Sequence, residues 1–134
     1  MSENFVLHTQ LANDSVWIAD WPLCQLRLIN DSNYPWFILV PRRANIRDVI
    51  DLSDEEQSQL WLESAKLSRL MRQKFSPEKL NLAALGNMVP QLHLHHIARF
   101  TTDVAWPAPV WGKVERVPYN ESELAQLLNE WSAA

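Results

Sequence analysis

Short apolar clusters separated by polar residues dominate the first forty positions of the chain. The clusters span residues 5–7, 16–19, 23–29 and 36–40, and the segments between them contain the turn-forming residues Asn, Asp, Ser and Pro. Residues 36–40 are apolar without interruption, which is typical of a central strand covered on both faces. The pattern predicts an antiparallel meander of short strands in this part of the chain.

The middle of the chain changes to a helical period. Ser53 is followed three residues later by Glu56, which is the capping-box pattern of a helix start, and apolar residues then recur largely on one face. Pro77 ends this pattern, so the sequence predicts a long helix from Ser53 to about Phe75. A second, short helix is predicted near Glu121, with apolar positions at Leu124, Leu127, Leu128 and Trp131.

Two further strands are predicted between the helices, over residues 79–85 and 91–100, joined by residues 86–90. Strands, a long helix and further strands in this order indicate the α+β class, with an antiparallel sheet and its helices mainly on one face. The 134 residues fit one domain spanning 1–134, and an apolar content of 47% suffices for one core.

Charge and composition narrow the range of partners. The net charge of −4 disfavours nucleic acid, because neutralising a phosphate backbone requires a broad basic surface. A small anionic ligand needs only a few local donors and remains possible. No signal-peptide pattern and no apolar run near the ~20 residues of a membrane span are present. The single cysteine, Cys24, cannot form an internal disulfide, which fits a reducing compartment. Together these features predict a cytoplasmic protein that does not enter a membrane.

Three of the four histidines lie within four residues. Because alternate side chains of a strand share a face, Gln91, His93 and His95 are predicted to lie together, at about 7 Å intervals along the strand. His96 is predicted to lie on the opposite face, where neighbouring leucines pack on the helix. The sequence therefore predicts a polar group of two imidazoles and one amide.

Phosphoryl or nucleotidyl transfer is one chemistry that suits this group. A neutral imidazole can attack phosphorus, and a neighbouring imidazole or amide can hold the phosphate oxygens. A zinc site is a second possibility, but zinc needs a third or fourth ligand and only His8 remains among the histidines. A purely structural role for these histidines is the third possibility, although clustered polar groups on one strand face are costly to bury.

Residues 91–97, Gln-Leu-His-Leu-His-His-Ile, resemble the signature of the histidine triad (HIT) superfamily, in which three histidines alternate with apolar residues. Residues 36–43 and 48–53 are similar to the family's strand ending in proline and basic residues and to the entry to its long helix. The resemblance covers roughly residues 23–112. It implies a five-stranded antiparallel sheet, one long central helix and a short C-terminal helix. It also implies a homodimer that acts on nucleotides at the α-phosphate, and we expect no cofactor and no metal.

The resemblance assigns roles to individual histidines. His93 matches the family nucleophile, and His95 matches the histidine that contacts phosphate oxygens. Gln91 occupies the position of the first triad histidine. A glutamine side chain donates and accepts hydrogen bonds but cannot relay a proton, so the family role of that position is weakened here.

Other parts of the implied site also depart from the family pattern. Asn30 or Asp31 is expected to replace the ribose-binding acid, unless residues 30–33 only form a turn. The loop after Arg99 is expected to fold over the pocket, where Arg99 would contact substrate, or across a dimer interface. An exposed ion pair of Arg99 with Asp103 is the alternative. The phosphate-binding loop is reduced to residues 86–90, in which the expected ligands of phosphate are Gly86, Asn87 and Met88.

The sequence thus predicts a HIT-like nucleotide hydrolase or nucleotidyl transferase that forms a nucleotidyl adduct on His93. The expected substrate is a nucleoside phosphoramidate or a dinucleoside polyphosphate. The alternative is a non-catalytic nucleotide-binding or regulatory module of the same fold, and the departure at Gln91 is its main support.

Overall fold

A computed structural model describes residues 4–134 of the chain. One antiparallel sheet contains five strands, and β3 lies at its centre in the order β1-β2-β3-β5-β4. The five-stranded α+β architecture expected from the sequence is confirmed. The strands are β1 Ser15–Asp20, β2 Cys24–Ile29, β3 Trp36–Pro41, β4 Lys79–Ala83 and β5 Leu94–Arg99.

The long helix α2 spans Asp54–Phe75. Ser53 caps it as predicted: its hydroxyl accepts from the Glu56 backbone N–H, and the Glu56 carboxylate accepts from the Ser53 backbone N–H. Ser76 ends the helix with a left-handed backbone conformation, φ 49°. The other helices are α1 Thr9–Asp14, a one-turn 3₁₀ helix Val49–Asp51, and α3 Glu121–Glu130.

Both faces of the sheet are buried, and each has its own apolar cluster. Phe37 and Leu94 face α2 and α3, where Leu67 and Trp131 complete one cluster. The second cluster lies on the opposite face and contains Leu11, Ile29, Trp36, Ile38, Ile97, Ala105 and Val110. The short helix α1 and the irregular chain after β5 cover this second face. A cleft therefore lies on this face, between the sheet and these segments.

Three local predictions differ from the structure. Residues 5–7 are not a strand, and the predicted strand 91–100 is shorter, because β5 begins only at Leu94. Helix α1 was not predicted, since six residues are too few to establish a helical period. Along residues 4–134, no helix is both long and apolar enough to cross a bilayer.

Candidate active site

His93 and His95 line a cleft of about 290 Å³ on the sheet face opposite α2. His93 directly precedes β5, and His95 lies within it, paired with Ile38 of the central strand. Their ring centroids are 4.7 Å apart with an interplanar angle of 70°. The rest of the lining is largely apolar and includes Leu11, Ile29, Trp36, Val89, Val110 and Trp111.

The hydrogen bond of His93 determines which of its ring nitrogens is nucleophilic. His93 Nδ1 lies 2.7 Å from the backbone carbonyl oxygen of Gln91. A carbonyl oxygen only accepts, so Nδ1 carries the hydrogen and Nε2 keeps its lone pair. Burial lowers the pKa of His93, the bond to Gln91 opposes this effect, and the charge of His8 lowers the pKa further. The neutral, nucleophilic form of His93 is therefore favoured at neutral pH.

His95 has the opposite tautomer. The indole N–H of Trp36 donates to His95 Nδ1 at 2.9 Å, so the hydrogen of the neutral ring lies on Nε2. Burial and the nearby charges of His93 and His96 lower the pKa of His95 to about 3, which keeps it neutral. One imidazole of the pair thus offers a lone pair, and the other offers an N–H donor.

His96 lies on the helix side of the sheet, as the alternation of strand residues predicted. It is fully buried, its Nδ1 donates to the Leu94 carbonyl oxygen, and its Nε2 is 2.7 Å from the Ser64 hydroxyl of α2. Burial lowers its pKa to about 4, although the bond to Leu94 raises it. His96 thus joins sheet and helix and does not reach the cleft.

Gln91 does not present its amide to the cleft. Its Nε2 donates to the Val6 carbonyl oxygen at 2.9 Å, and its Oε1 accepts from the His8 backbone N–H at 2.8 Å. Gln91 does not line the cleft with His93 and His95 as expected. Leu92 and His93 keep the alternation of β5, but the amide of Gln91 is bound by the chain before α1. Gln91 contributes its backbone carbonyl to His93 and its side chain to the chain before α1.

The loop before the histidines lies partly at a second cavity. Gly86, with φ of +71°, lines a cavity of about 240 Å³ together with His93 and Arg47. Asn87 is exposed and Met88 is 94% exposed, and neither lines this cavity or the cleft. The structure thus brings Gly86, but not Asn87 or Met88, to His93.

Asp31, rather than Asn30, lies in the cleft. The Asn30 side chain accepts from the Tyr119 backbone N–H at 2.9 Å and thereby holds the C-terminal segment. Asp31 is buried and lines the cleft with the two histidines. Its Oδ1 accepts from Asn33 and from the Val117 backbone N–H. Within residues 4–134 no hydrogen bond reaches Asp31 Oδ2, which is therefore available to a ligand hydroxyl.

Arg99 does not line the cleft, and its ion pair with Asp103, expected as the alternative, is buried rather than exposed. Its side chain is 2% exposed and forms a two-bond ion pair with Asp103, at 2.9 and 3.1 Å. It also donates to the Asn81 side chain and to the Ala108 carbonyl oxygen. Burial raises the pKa of Asp103, but the bonds from Arg99 and from backbone amides outweigh it and lower the pKa to about 2. Arg99 holds the loop after β5 in place.

The two histidines of the cleft place a ring nitrogen with a free lone pair beside a ring N–H donor. Among residues 4–134, no group of three or more His, Cys, Asp or Glu side chains could hold a metal ion. Sequence reasoning missed Trp36 as the partner of His95, and it assigned no contact to His8, which lines a cavity with Gln91 and Arg47. A contact between residues 59 apart, such as that of Trp36 with His95, leaves no local sequence signal.

Comparisons with known proteins agree with this geometry. The model of the HIT domain family matches residues 10–102, while no curated protein matches the chain. Crystal structures of histidine triad proteins superpose closely. One from Bradyrhizobium japonicum is 43% identical, with 96% of each chain covered and a TM-score of 0.93. One from Marinobacter aquaeolei VT8 is 49% identical, with 94% of this chain and 92% of that chain covered and a TM-score of 0.92.

A third such protein, from Sinorhizobium meliloti 1021, is 39% identical, with 97% of this chain and 96% of that chain covered and a TM-score of 0.93. The family model thus spans more than half of this chain, and the structural matches span nearly all of it. The chain therefore belongs to the HIT domain family.

Proposed function

We propose that this protein cleaves nucleotide conjugates at the α-phosphate through a covalent nucleotidyl adduct on His93. The observation that carries the proposal is the pair of opposite tautomers in one cleft. His93 Nδ1 donates to the Gln91 carbonyl oxygen, which leaves Nε2 unprotonated. His95 Nδ1 accepts from Trp36, which leaves an N–H at its Nε2. A nucleophile and a hydrogen-bond donor are the two groups that attack at phosphorus requires.

The steps follow from these roles. The Nε2 lone pair of His93 forms a bond to phosphorus, and the bond from phosphorus to the leaving group breaks. His95 Nε2–H donates to a non-bridging phosphate oxygen. The Gln91 carbonyl oxygen stabilises the positive charge that the substituted His93 ring acquires. Water then attacks phosphorus and loses a proton to solvent. The bond to Nε2 breaks with its electron pair returning to the ring, which releases the nucleoside monophosphate and restores the neutral imidazole.

The cleft suits a nucleoside beside the phosphate. Asp31 Oδ2 lies open to a ribose hydroxyl, and Ile29 and Trp111 offer apolar surface for a base. His93 lines both this cleft and the cavity of Gly86 and Arg47. We therefore assign the nucleoside to the cleft and the leaving group to the second cavity, with the phosphate between them.

The test is incubation of the protein with an adenosine phosphoramidate and with diadenosine polyphosphates. Intact mass analysis detects a nucleotidyl adduct, and chromatography detects released monophosphate. We expect both products with the parent protein and neither with His93→Ala. Cleavage that persists at the parent rate in His93→Ala would overturn the proposed mechanism.

A nucleotide-binding module without turnover is the second candidate. The observation in its favour is that the Gln91 side chain is occupied by Val6 and His8 and does not face the phosphate. Thermal stabilisation by nucleoside monophosphates, with no adduct and no release from any conjugate, would support this candidate instead.

We further propose a cytoplasmic homodimer. The free thiol of Cys24 is buried, which fits a reducing compartment, and the edge strand β4 exposes the apolar side chain of Leu82. Light scattering coupled to size exclusion should give twice the mass of one chain. A mass of one chain at micromolar concentration would contradict the dimer.

A further inference from the structure

Gln91 clamps the chain before α1 onto the histidine segment. Its amide makes two hydrogen bonds with the backbone, to the Val6 carbonyl oxygen and from the His8 N–H, across 85 and 83 residues of sequence. A carboxamide offers a donor and an acceptor side by side, whereas the two ring nitrogens of a histidine diverge. Glutamine therefore suits this clamp better than the histidine that the family pattern has at the same position.

The clamp places the His8 imidazole at the edge of the site. His8 caps α1, and its Nδ1 accepts from the Gln10 backbone N–H at 3.0 Å, so Nε2 of the neutral ring carries the hydrogen. The exposed His8 side chain lines a cavity of about 370 Å³ together with Gln91 and Arg47. This cavity holds a free N–H donor and a guanidinium in one place.

The His8 cavity is connected to His93 in two ways. Arg47 lines both the cavity of His8 and the cavity that contains His93 and Gly86. Gln91 holds the His8 backbone with its side chain and accepts from His93 Nδ1 with its backbone carbonyl. The charge of His8 also acts on His93. His8 and His93 therefore line two neighbouring cavities that share Arg47.

We propose that His8 is a further catalytic residue, which donates a hydrogen bond from Nε2–H to the departing atom of the conjugate. This inference rests on the function proposed above. His8 supplies the imidazole that residue 91, a glutamine, lacks. Gln91 is the residue that positions the His8 imidazole. The leaving group then departs between the His8 imidazole and the Arg47 guanidinium.

The step balances without a proton leaving His8. The His93 Nε2 lone pair forms the nitrogen–phosphorus bond, and the bond from phosphorus to the departing oxygen breaks. The electron pair of the broken bond stays on that oxygen. His8 Nε2–H hydrogen-bonds the developing negative charge, and solvent protonates the leaving group if its basicity requires it. The contribution of His8 must therefore grow with the basicity of the leaving group.

The experiment compares the parent protein with His8→Asn on a series of nucleoside 5′-aryl phosphates with phenols of graded basicity. An asparagine side chain keeps an acceptor for the Gln10 N–H and so preserves the cap, but it lacks the Nε2–H group. We expect kcat/KM to fall about tenfold or more for the most basic phenol and less than about twofold for 4-nitrophenol. The plot of log kcat/KM against phenol basicity is then steeper in the variant.

Thr9→Ala is the control, because Thr9 is the exposed residue that follows His8, and it should keep the parent slope. Equal slopes in the parent and in His8→Asn, with activity still dependent on His93, would overturn the role of His8 and leave the proposed function intact. Absence of His93-dependent cleavage of every ester would overturn both. A structural effect of His8 alone would lower all rates equally and likewise keep the slope unchanged, which also contradicts the proposal.

Gln91→Ala provides an independent test of the same inference. Loss of the clamp should release the chain before α1 and steepen the slope as His8→Asn does. The double variant His8→Asn/Gln91→Ala should be no steeper than either single variant, because both changes remove the same donor. Additive effects of the two changes would show that Gln91 does not act through His8.

Discussion

The Trp36 indole N–H donates to His95 Nδ1 at 2.9 Å, and the two rings lie 5.7 Å apart between centroids. Tryptophan can only donate, so this contact leaves His95 with one tautomer, in which Nε2 carries the hydrogen. The pair joins the central strand β3 to β5 at the floor of the cleft. The buried histidine thereby carries an N–H donor, which the proposed mechanism directs at a phosphate oxygen.

Trp36→Phe should therefore lower kcat/KM while it largely preserves the packing of the ring. The ring is kept but the donor is lost, which leaves His95 Nδ1 without its partner in a buried site at a cost of about 1–3 kcal/mol. We expect kcat/KM to fall by roughly tenfold. Trp17→Phe is the matched control, because the half-exposed Trp17 indole donates to Asp20 on β1, outside the cleft. An equal loss in both variants would argue against a role for the Trp36 donor.

Asp31→Asn should weaken substrate binding through the ribose. We expect KM for a ribonucleotide conjugate to rise by about tenfold, because a charge-assisted hydrogen bond to a hydroxyl is lost. The same variant should change KM little for a 2′,3′-dideoxy conjugate. Asn30→Ala serves as the comparison, since Asn30 contacts Tyr119 rather than the cleft. The assignment fails if Asp31→Asn affects both sugars equally.

Stability should fall as the pH is lowered from 6.5 to 5. The folded-state pKa values of His95 and His96 are lowered to about 3 and about 4, so below pH 6.5 the unfolded chain binds protons that the folded chain does not. Each of these two groups then removes about 1.4 kcal/mol of unfolding free energy per pH unit. Above pH 6.5 neither His95 nor His96 lowers the free energy of unfolding in this way.

Urea unfolding of the parent at pH 7, 6 and 5 measures this dependence. The pKa values of Asp51, Glu56 and Asp103 are lowered from values of 3.8 to 4.5, so these carboxylates stay ionised throughout this range. His96→Gln should reduce the slope by about the contribution of one group. A free energy that is constant from pH 7 to 5 would contradict the buried neutral histidines.

Arg99→Leu should destabilise the protein by about 3–5 kcal/mol, because Asp103 would remain buried without its partner. Chemical denaturation of Arg99→Leu and of Arg43→Leu makes the comparison, since the side chains of the Arg43–Glu56 ion pair are 26% and 27% exposed. The second change should cost no more than about 1 kcal/mol. Similar losses in the two variants would mean that Arg99 is not the structural anchor of its loop.

The sequence by itself determined the features that depend on near neighbours. The capping box of Ser53 and Glu56 and the stop before Pro77 placed α2 within one residue of its observed bounds. Alternation along β5 separated His96 from His95, because successive strand residues point to opposite faces whatever their surroundings. The resemblance to the HIT family implied a five-stranded antiparallel sheet, and the structure confirmed it.

Only the tertiary structure decided which polar side chains line the cleft and which are bound elsewhere. Gln91 binds backbone groups 83 and 85 residues away, and Trp36 meets His95 across 59 residues. The sequence left Arg99 between substrate contact and an exposed pair with Asp103, and the structure has a buried pair with Asp103. Periodicity shows which face a residue lies on, whereas the partner of a long polar side chain depends on the distant segments that the fold brings within hydrogen-bonding distance.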